Sequence, residues 1–473
     1  MSHDYDLLVI GGGSAGYNGA VTACGLGLRV GVVEAARELG GLCILRGCMP
    51  SKTLLESAGR YLTLRRAKEF GLRAEGIGIA LDEIRARKER LIGEFADYRA
   101  RQLSSGRFDL IRGRATFVDP YTVEITSPEE ETRRLRARSF LLATGSHSKK
   151  VPVPGLEETG YWDSDAVLEL RSLPRSVIVL GGGATAVEFA HFYAALGVEV
   201  TIIQRGRHLL KAMDVDVSQA LEEACRRHGM TLHCHTELLR VERTPEGRKR
   251  VFFRQLSEVR SVEAEEIIHA LGREPNTAGL RLENTGAALT QGRLHVKATQ
   301  QTSVPHLFAA GDVAGPYEIV HIAIAQAEVA VRNACRRMER VPEQDCRLEE
   351  IDYRLRLSVV FGFPEVASVG LTEKELQHAK IAYQVACYPF NDHGKALVAG
   401  EEEGFVKLLV SEESREIIGA AVVGAHASEL IHEIVVAMRF GATAADLLAI
   451  PHYHPTLSEI WTYPAEELVS GQS

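Results

Sequence analysis

The sequence predicts an α/β protein, and three observations carry that prediction. Apolar, β-branched runs alternate with helix-forming stretches along most of the chain. One arrangement, a β-branched run followed by a glycine cluster and a helical stretch, occurs twice: YDLLVIGGGSAG from Tyr5 to Gly16, and SVIVLGGGATAVE from Ser176 to Glu188. From Ser358 a segment rich in β-branched residues, SVVFGFPEVASVGLTEKEL, opens a further region. Together these predict two Rossmann-like halves followed by a C-terminal α+β domain.

The first repeat holds Gly11-x-Gly13-x-x-Gly16 between a strand and a helix. Gly11 permits the tight turn, Gly13 lets the backbone approach a pyrophosphate, and Gly16 lets helix and strand pack closely. Eighteen residues past Gly16 the run LRVGVVE ends at Glu34, whose carboxylate can accept hydrogen bonds from a ribose diol. The second repeat holds Gly181-x-Gly183-x-x-Ala186. Its next strand, VEVTIIQRGR, ends at Gln204 where an NAD site usually shows an acid, and Arg205 and Arg207 follow. A carboxylate there repels a 2′-phosphate, whereas guanidinium groups grip one, so NADP(H) is expected over NAD(H).

The bulk numbers exclude some classes. At 473 residues the chain has room for about three domains of ~150 residues each. A net charge of −8 argues against a general nucleic-acid binder. No apolar run approaches the ~18 residues of a membrane span. The N-terminus, MSHDYDLLVIGGG, shows no basic n-region or cleavage signal, so no membrane partner and a cytoplasmic location are expected. In that compartment a cysteine pair is more often catalytic or metal-binding than a structural staple.

Two of the eight cysteines, Cys43 and Cys48, stand in GGLCILRGCMPSKTLL. Zinc fits poorly, because no second cysteine or histidine pair lies at ligand spacing, and no metal is expected. Core packing suits one cysteine better than two flanked by glycine and Pro-Ser-Lys. A redox disulfide fits best. The residues after Cys48 read as a helix, whose dipole and free N–H groups lower a thiol pKa at its start. Lys52 adds positive charge one turn on, and a small loop keeps the two sulfurs close.

Near the C-terminus, IPHYHPTLSEIW offers His454 as a general base with Glu459 to fix its tautomer. Alone, such a pair is more often structural, and His452 reads as neighbouring packing. Arg85 to Arg101 reads as a solvated helix face. Arg133 to Arg138 and Glu246 to Arg250 read as exposed hairpin tips. His233 and His235 sit in a strand-like run, where alternation puts both on one face with no further ligands in view.

Taken together, these elements resemble the FAD-dependent pyridine nucleotide-disulfide oxidoreductases, class I, the family of dihydrolipoamide dehydrogenase, glutathione reductase and mercuric reductase. The resemblance spans nearly the whole chain. It rests on GGGSAG, the dithiol segment, LLATGS at Leu141 to Ser146, the second glycine loop, ALGREPNT at Ala270 to Thr277, LFAAGDV at Leu307 to Val313, and HPTLSE. It implies an FAD domain at residues 1–150, an NAD(P) domain at 151–285, a central domain completing the FAD site at 286–350, and a dimerisation domain at 351–473. It further implies that Cys43 is the thiol that attacks substrate and Cys48 the thiol beside the flavin that forms the charge-transfer complex. Lys52 is then near the flavin, paired with Glu188, and Asp312 binds the ribityl-pyrophosphate region. Ala115 meets the adenine through its backbone, and Gly41, Thr144, Gly145 and Gly272 join the cofactor sites. His454 and Glu459 come from the other subunit of a homodimer. The implied activity is an FAD-dependent NAD(P)H:disulfide oxidoreductase acting on a small disulfide or dithiol. The alternatives are a mercuric or metal-ion reductase and a redox-sensing flavoprotein without disulfide turnover.

The dithiol segment departs from the family's GGTCxNxGCxPSK at Leu42, Leu45 and Arg46, and Ala184 stands where many relatives carry an aromatic gate. Ala186 and Ala190 sit where NADP-using relatives carry alanines. The chain ends ELVSGQS, where mercuric reductases usually carry a vicinal cysteine pair.

Overall fold

The computed structural model describes residues 3–339 and 347–471. The chain divides into two compact units, each built from three stretches. The first comprises Met1–Ser51, Arg85–Lys149 and Arg273–Asp352. Its sheet sets Asp109–Arg112, Val30–Glu34, Tyr5–Ile10, Thr132–Leu142 and Leu307–Ala309 side by side, all parallel. The apolar run of Tyr5–Ile10 is continuous because both faces are covered. Leu7 and Val9 pack with Ala20, Ala23 and Ala327 of the helices Ser14–Gly25 and Val320–Met338. Leu8 and Ile10 pack with Phe117, Val123 and Leu307 on the opposite face.

One expectation fails in this unit. Arg133 to Arg138 do not form a hairpin tip; they lie inside the strand Thr132–Leu142. The first half of that strand pairs antiparallel with Thr122–Thr126, and the second half pairs parallel with Tyr5–Ile10. The turn is instead at Ser127, whose N–H meets the Glu131 carbonyl. A strand with one solvated face tolerates charges at alternate positions, and Arg134 meets Glu124 across the ladder at 3.2 Å. Composition alone made that stretch look like a loop.

The second unit comprises Lys52–Ile84, Lys150–Gly272 and Tyr353–Ser473. A parallel sheet orders Thr231–His233, Glu199–Ile203, Ser176–Leu180 and Glu266–His269. An antiparallel meander, Thr236–Arg243, Lys249–Gln255 and Glu258–Ala264, follows. The tip expected at Glu246 to Arg250 is present as the turn Thr244 to Arg248, although Lys249 and Arg250 already belong to the strand. His233 ends the parallel strand, and His235 has already turned away with φ 58° to start the meander. The two histidines therefore do not share a strand face.

The C-terminal part is a five-stranded antiparallel sheet in the order Leu357–Val360, Glu365–Gly370, Ile417–Gly424, Phe405–Ser411, Tyr383–Pro389. Helices Ala427–Arg439 and Thr462–Ser470 pack their apolar residues on it, with Trp461 fully buried. It begins one residue from the expected Ser358. No helix among the described residues is long and apolar enough to cross a membrane.

Candidate active site

The first glycine loop has the shape a pyrophosphate needs. Gly11 adopts φ +107°, and a β-carbon there would lie 2.4 Å from the Ala143 carbonyl oxygen. A β-carbon at Gly16 would lie 1.8 Å from the Gly11 oxygen. Both positions admit only glycine. Gly13 precedes the helix Ser14–Gly25, whose first N–H groups are left for an anion. The Glu34 carboxylate accepts N–H groups from Gly12 at 2.7 Å and Ala36 at 2.7 Å, which orients it at the strand end and leaves lone pairs for a diol. The donor set and the glycine cradle fit a dinucleotide such as FAD.

The dithiol segment lies against this loop. Gly41, at φ +71°, is so close to Gly13 that a β-carbon on it would lie 2.6 Å from the Gly13 α-carbon. The connection between the cysteines is not the expected loop. Gly41–Arg46 is a short helix carrying Cys43, and Gly47 breaks it before the helix Cys48–Arg65 begins. The break needs glycine, since a β-carbon at Gly47 would lie 2.9 Å from the Leu42 oxygen and 3.2 Å from the Cys43 α-carbon. Cys48 therefore opens a five-turn helix, at the positive end of its dipole. Both cysteines are half-buried. Gly41→Ala is expected to separate the segment from the loop at a cost of roughly 2 kcal/mol or more. The check is the flavin-to-protein absorbance ratio of the purified variant, which should fall well below that of the parent.

Two other expected cofactor residues of this unit, Thr144 and Gly145, meet Asn276. Its backbone oxygen accepts the Thr144 hydroxyl at 2.7 Å, and its N–H meets the Gly145 carbonyl. Ser146 donates its hydroxyl to Asp312 at 2.6 Å and receives Arg273 Nε at 2.8 Å. Ala115 lies buried in the strand Arg114–Asp119, paired with Ile125. Arg99 belongs to the helix Leu81–Leu103, expected as a solvated face. Its guanidinium lies 4.1 Å above the Tyr17 ring, and burial lowers its pKa against the pull of Tyr17 and Cys43. Helical spacing of charged residues hides such a contact.

In the second unit Lys52 stands one turn past Cys48 on the same helix. Its ammonium meets both oxygens of Glu188, at 3.0 and 2.8 Å, and lies 4.8 Å from the Phe361 ring centroid. Glu188 is almost fully buried on the helix Ala184–Ala195 and also accepts the Phe361 N–H. A buried carboxylate so satisfied holds a lysine in one place.

The second glycine loop repeats the first. Gly181 adopts φ +120°, with the Ala270 oxygen 2.2 Å from where a β-carbon would stand. Ala186 is fully buried under the sheet, while Gly183 and Ala184 at the helix start are exposed. Gln204 follows the strand Glu199–Ile203 and packs beneath Gly182. Arg205 and Arg207 are exposed at that strand end. Gly272 adopts φ +112° just after the strand Glu266–His269.

His454 Nδ1 lies 3.0 Å from Glu459 Oε2. The histidine is 80% exposed and the glutamate side chain only 11%, so a held carboxylate presents a reachable imidazole. His452 instead meets Glu433 at 2.7 Å and the Ile450 carbonyl, as a packing residue would. Three carboxylates elsewhere, Asp214, Asp216 and Glu373, come close enough to hold a metal, but they enclose the Lys407 ammonium.

Residues 5–327 match the sequence model of the pyridine nucleotide-disulphide oxidoreductases, and residues 357–465 match the dimerisation domain of the same group. The chain is 35% identical over 468 residues to the dihydrolipoyl dehydrogenase of Thermus scotoductus, covering 98% of this chain and 97% of the relative. It is 33% identical to the dihydrolipoyl dehydrogenase of Chlamydia trachomatis at the same coverage. Among solved structures, LpdA from Mycobacterium tuberculosis superposes with a TM-score of 0.86 at 29% identity, over 98% of this chain and 99% of that one. The HOCl-induced flavoprotein disulfide reductase RclA from Escherichia coli, solved as a Cu(II) complex, gives 0.83 at 26% identity, over 99% and 100%.

Proposed function

The chain belongs to the pyridine nucleotide-disulphide oxidoreductase family, and from that premise we propose that it interconverts a small dithiol and its disulfide, of the dihydrolipoamide kind, through Cys43 and Cys48. Membership makes it an oxidoreductase acting on sulfur, with FAD and a pyridine nucleotide as cofactors, and its dimerisation domain supports a homodimer. The observation that carries the proposal is the contact between Gly41 and Gly13, which sets the dithiol segment on the dinucleotide loop.

FAD, when bound, supplies two-electron exchange between a nicotinamide and a thiol pair. The residues divide the remaining work. Gly11, Gly13 and Gly16 receive its pyrophosphate and Glu34 a ribose, with Gly41, Ala115, Thr144, Gly145 and Asp312 completing the site. Lys52, held by Glu188, contributes a fixed positive charge. Gly181, Gly183, Ala186 and Gly272 receive the nicotinamide nucleotide. In the reducing direction the Cys43 thiolate attacks the substrate disulfide, forming a mixed disulfide as the substrate S–S bond breaks. Cys48, at the start of its helix, then attacks Cys43 as the thiolate, closing the protein disulfide and releasing the dithiol. His454, oriented by Glu459 and supplied by the other subunit, gives the leaving sulfur its proton, and takes it back in the reverse direction.

The remaining assignments follow the same reading. Exposed Arg205 and Arg207, with Gln204 in place of an acid, favour NADP(H) over NAD(H). Residues 1–150, 151–285, 286–350 and 351–473 serve as the FAD, NAD(P), central and dimerisation domains. A cytoplasmic setting suits a thiol pair that must cycle.

The test is an anaerobic titration of the purified FAD protein with NADPH, repeated with NADH. A long-wavelength absorbance band is expected after two-electron reduction, reached more readily with NADPH. Simple bleaching without that band would overturn the thiol relay. Replacing Arg205 and Arg207 with alanine should cut the NADPH preference by about tenfold or more, since each charge-assisted contact contributes roughly 1.5–3 kcal/mol. An unchanged preference would remove both arginines from the site.

A further inference from the structure

Glu459 has a second neighbour. Its Oε2 lies 3.0 Å from His454 Nδ1, and its Oε1 lies 3.5 Å from Nε2 of His393. The two histidines differ sharply in surroundings. His454 is 80% exposed, whereas the His393 side chain is wholly buried. His393 stands between the turn Phe390–Asp392 and the short helix Gly394–Ala399, edge-on to the Tyr463 ring with centroids 5.9 Å apart. Neither of its ring nitrogens has a hydrogen-bond partner among the described residues, and Glu459 Oε1, at 3.5 Å, stands just beyond ordinary hydrogen-bond length. A fully buried imidazole whose one polar neighbour is a carboxylate is not explained by packing alone.

Charge around it is sparse. Glu459 faces it from the segment Ser458–Trp461, with His454 beyond, and Tyr463 faces it from the helix Thr462–Ser470. Tyr388 stacks behind that ring at 4.0 Å and donates its hydroxyl to Asp392. Burial pushes the His393 imidazole below the usual histidine range, and the Glu459 charge opposes that shift. His393 is therefore neutral at neutral pH and carries one N–H. The tautomer with the proton on Nε2 is the one that meets Glu459.

We propose that His393 is a positioning residue, holding Oε1 of Glu459 as a neutral donor and thereby setting the basicity of His454. The inference rests on the reading of His454 as the active-site base. A carboxylate shared between two imidazole donors stabilises the His454 imidazolium less than one committed to His454 alone. The arrangement keeps Glu459 fixed in orientation and divides its charge between the two rings. Without the His393 donor, the full carboxylate charge falls on His454, and the base is protonated over a wider pH range.

The experiment is the pH profile of kcat/KM for dihydrolipoamide oxidation by the dimeric holoenzyme. A second readout is the pH dependence of iodoacetamide alkylation of the reduced protein, which needs no turnover. His393→Met keeps the volume and removes the donor; it should move the acid limb to higher pH by about half a unit to one unit. His393→Gln, whose amide can reach Glu459, should return the limb towards the parent position. Should the Met variant fail to fold, His393→Asn, whose amide stops short of the carboxylate, takes its place. An unmoved limb in a folded, flavin-bearing Met or Asn variant overturns the proposal, as does a lowered plateau with the limb in place. A limb that persists in His454→Gln is a separate failure: it removes His454 as the base, and His393's role falls with it.

Discussion

Cys48→Ser is expected to abolish disulfide turnover while leaving the flavin bound. The residue begins the helix Cys48–Arg65, just after the Gly47 break, and serine fits that position without disturbing either glycine contact. Dihydrolipoamide oxidation should fall by at least about a thousandfold, since losing a nucleophile that acts as part of a unit costs nearly the whole effect of that unit. Cys43→Ser should be equally inactive for a different reason: it removes the sulfur that bonds to substrate. The control is NADPH oxidation by a dye that accepts electrons from the flavin directly. That activity should persist in both variants. If dihydrolipoamide turnover survived in either, electrons would reach substrate without the thiol pair, and the proposed relay would be wrong. If dye reduction were lost as well, the substitution would have damaged the flavin site, and the flavin absorbance would show it. The same pair of variants bears on Hg(II): Hg(II)-dependent NADPH oxidation that needs both thiols would revive the metal-ion alternative.

Much of this was legible in the sequence because its signals are local. A β-branched run, three glycines and a helix are consecutive in the chain, and the contact forcing Gly16 is with Gly11 inside that unit, although the one forcing Gly11 comes from Ala143, far along the chain. The helix after Cys48 and the sheet beginning at Leu357 were readable for the same reason. What escaped depends on partners distant in sequence. Arg133 to Arg138 look like a charged loop until Thr122–Thr126 is set beside them. Arg99 looks solvated until Tyr17 lies under it, 82 positions away. His393 shows no motif; its role emerges only when the chain returns 66 residues later to bring Glu459 alongside. The segment between the cysteines is a subtler miss. The six residues Gly41–Arg46, which carry Cys43 and are closed by Gly47, can be a loop or a short helix, and the close approach of Gly47 to Leu42 accompanies the helix.

Lys407→Met should destabilise the second unit more than any surface change. Lys407 is fully buried in the strand Phe405–Ser411, and its ammonium meets Asp214 at 3.0 Å, Asp216 at 2.8 Å and Glu373. Those carboxylates come from the start of the helix Val215–Arg227 and from the helix Glu373–Ala379, so one cation ties a strand to two helix ends. Asp214 also accepts the N–H groups of Glu373 and Lys374, holding its charge in place. Burial lowers the Lys407 pKa and the three carboxylates raise it, with the balance well above the ordinary lysine value. A raised folded pKa means that the stabilisation is fully present below the unfolded lysine pKa, near 10.4, and is lost only as pH rises through the folded value. It is therefore intact at neutral pH. Methionine fills the same channel but leaves three negative charges facing one another, two of them largely buried. Removing one side of a buried ion pair costs about 3–5 kcal/mol, and partial exposure of Asp216 favours the lower end. Urea unfolding followed by tryptophan fluorescence is the measurement, since Trp461 lies in the core on this sheet. Adding Asp214→Asn and Glu373→Gln to the Met variant should recover part of the loss by removing the repulsion. A Met variant as stable as the parent would mean that the carboxylates relax into solvent, and that the cluster is an incidental crossing rather than a structural tie.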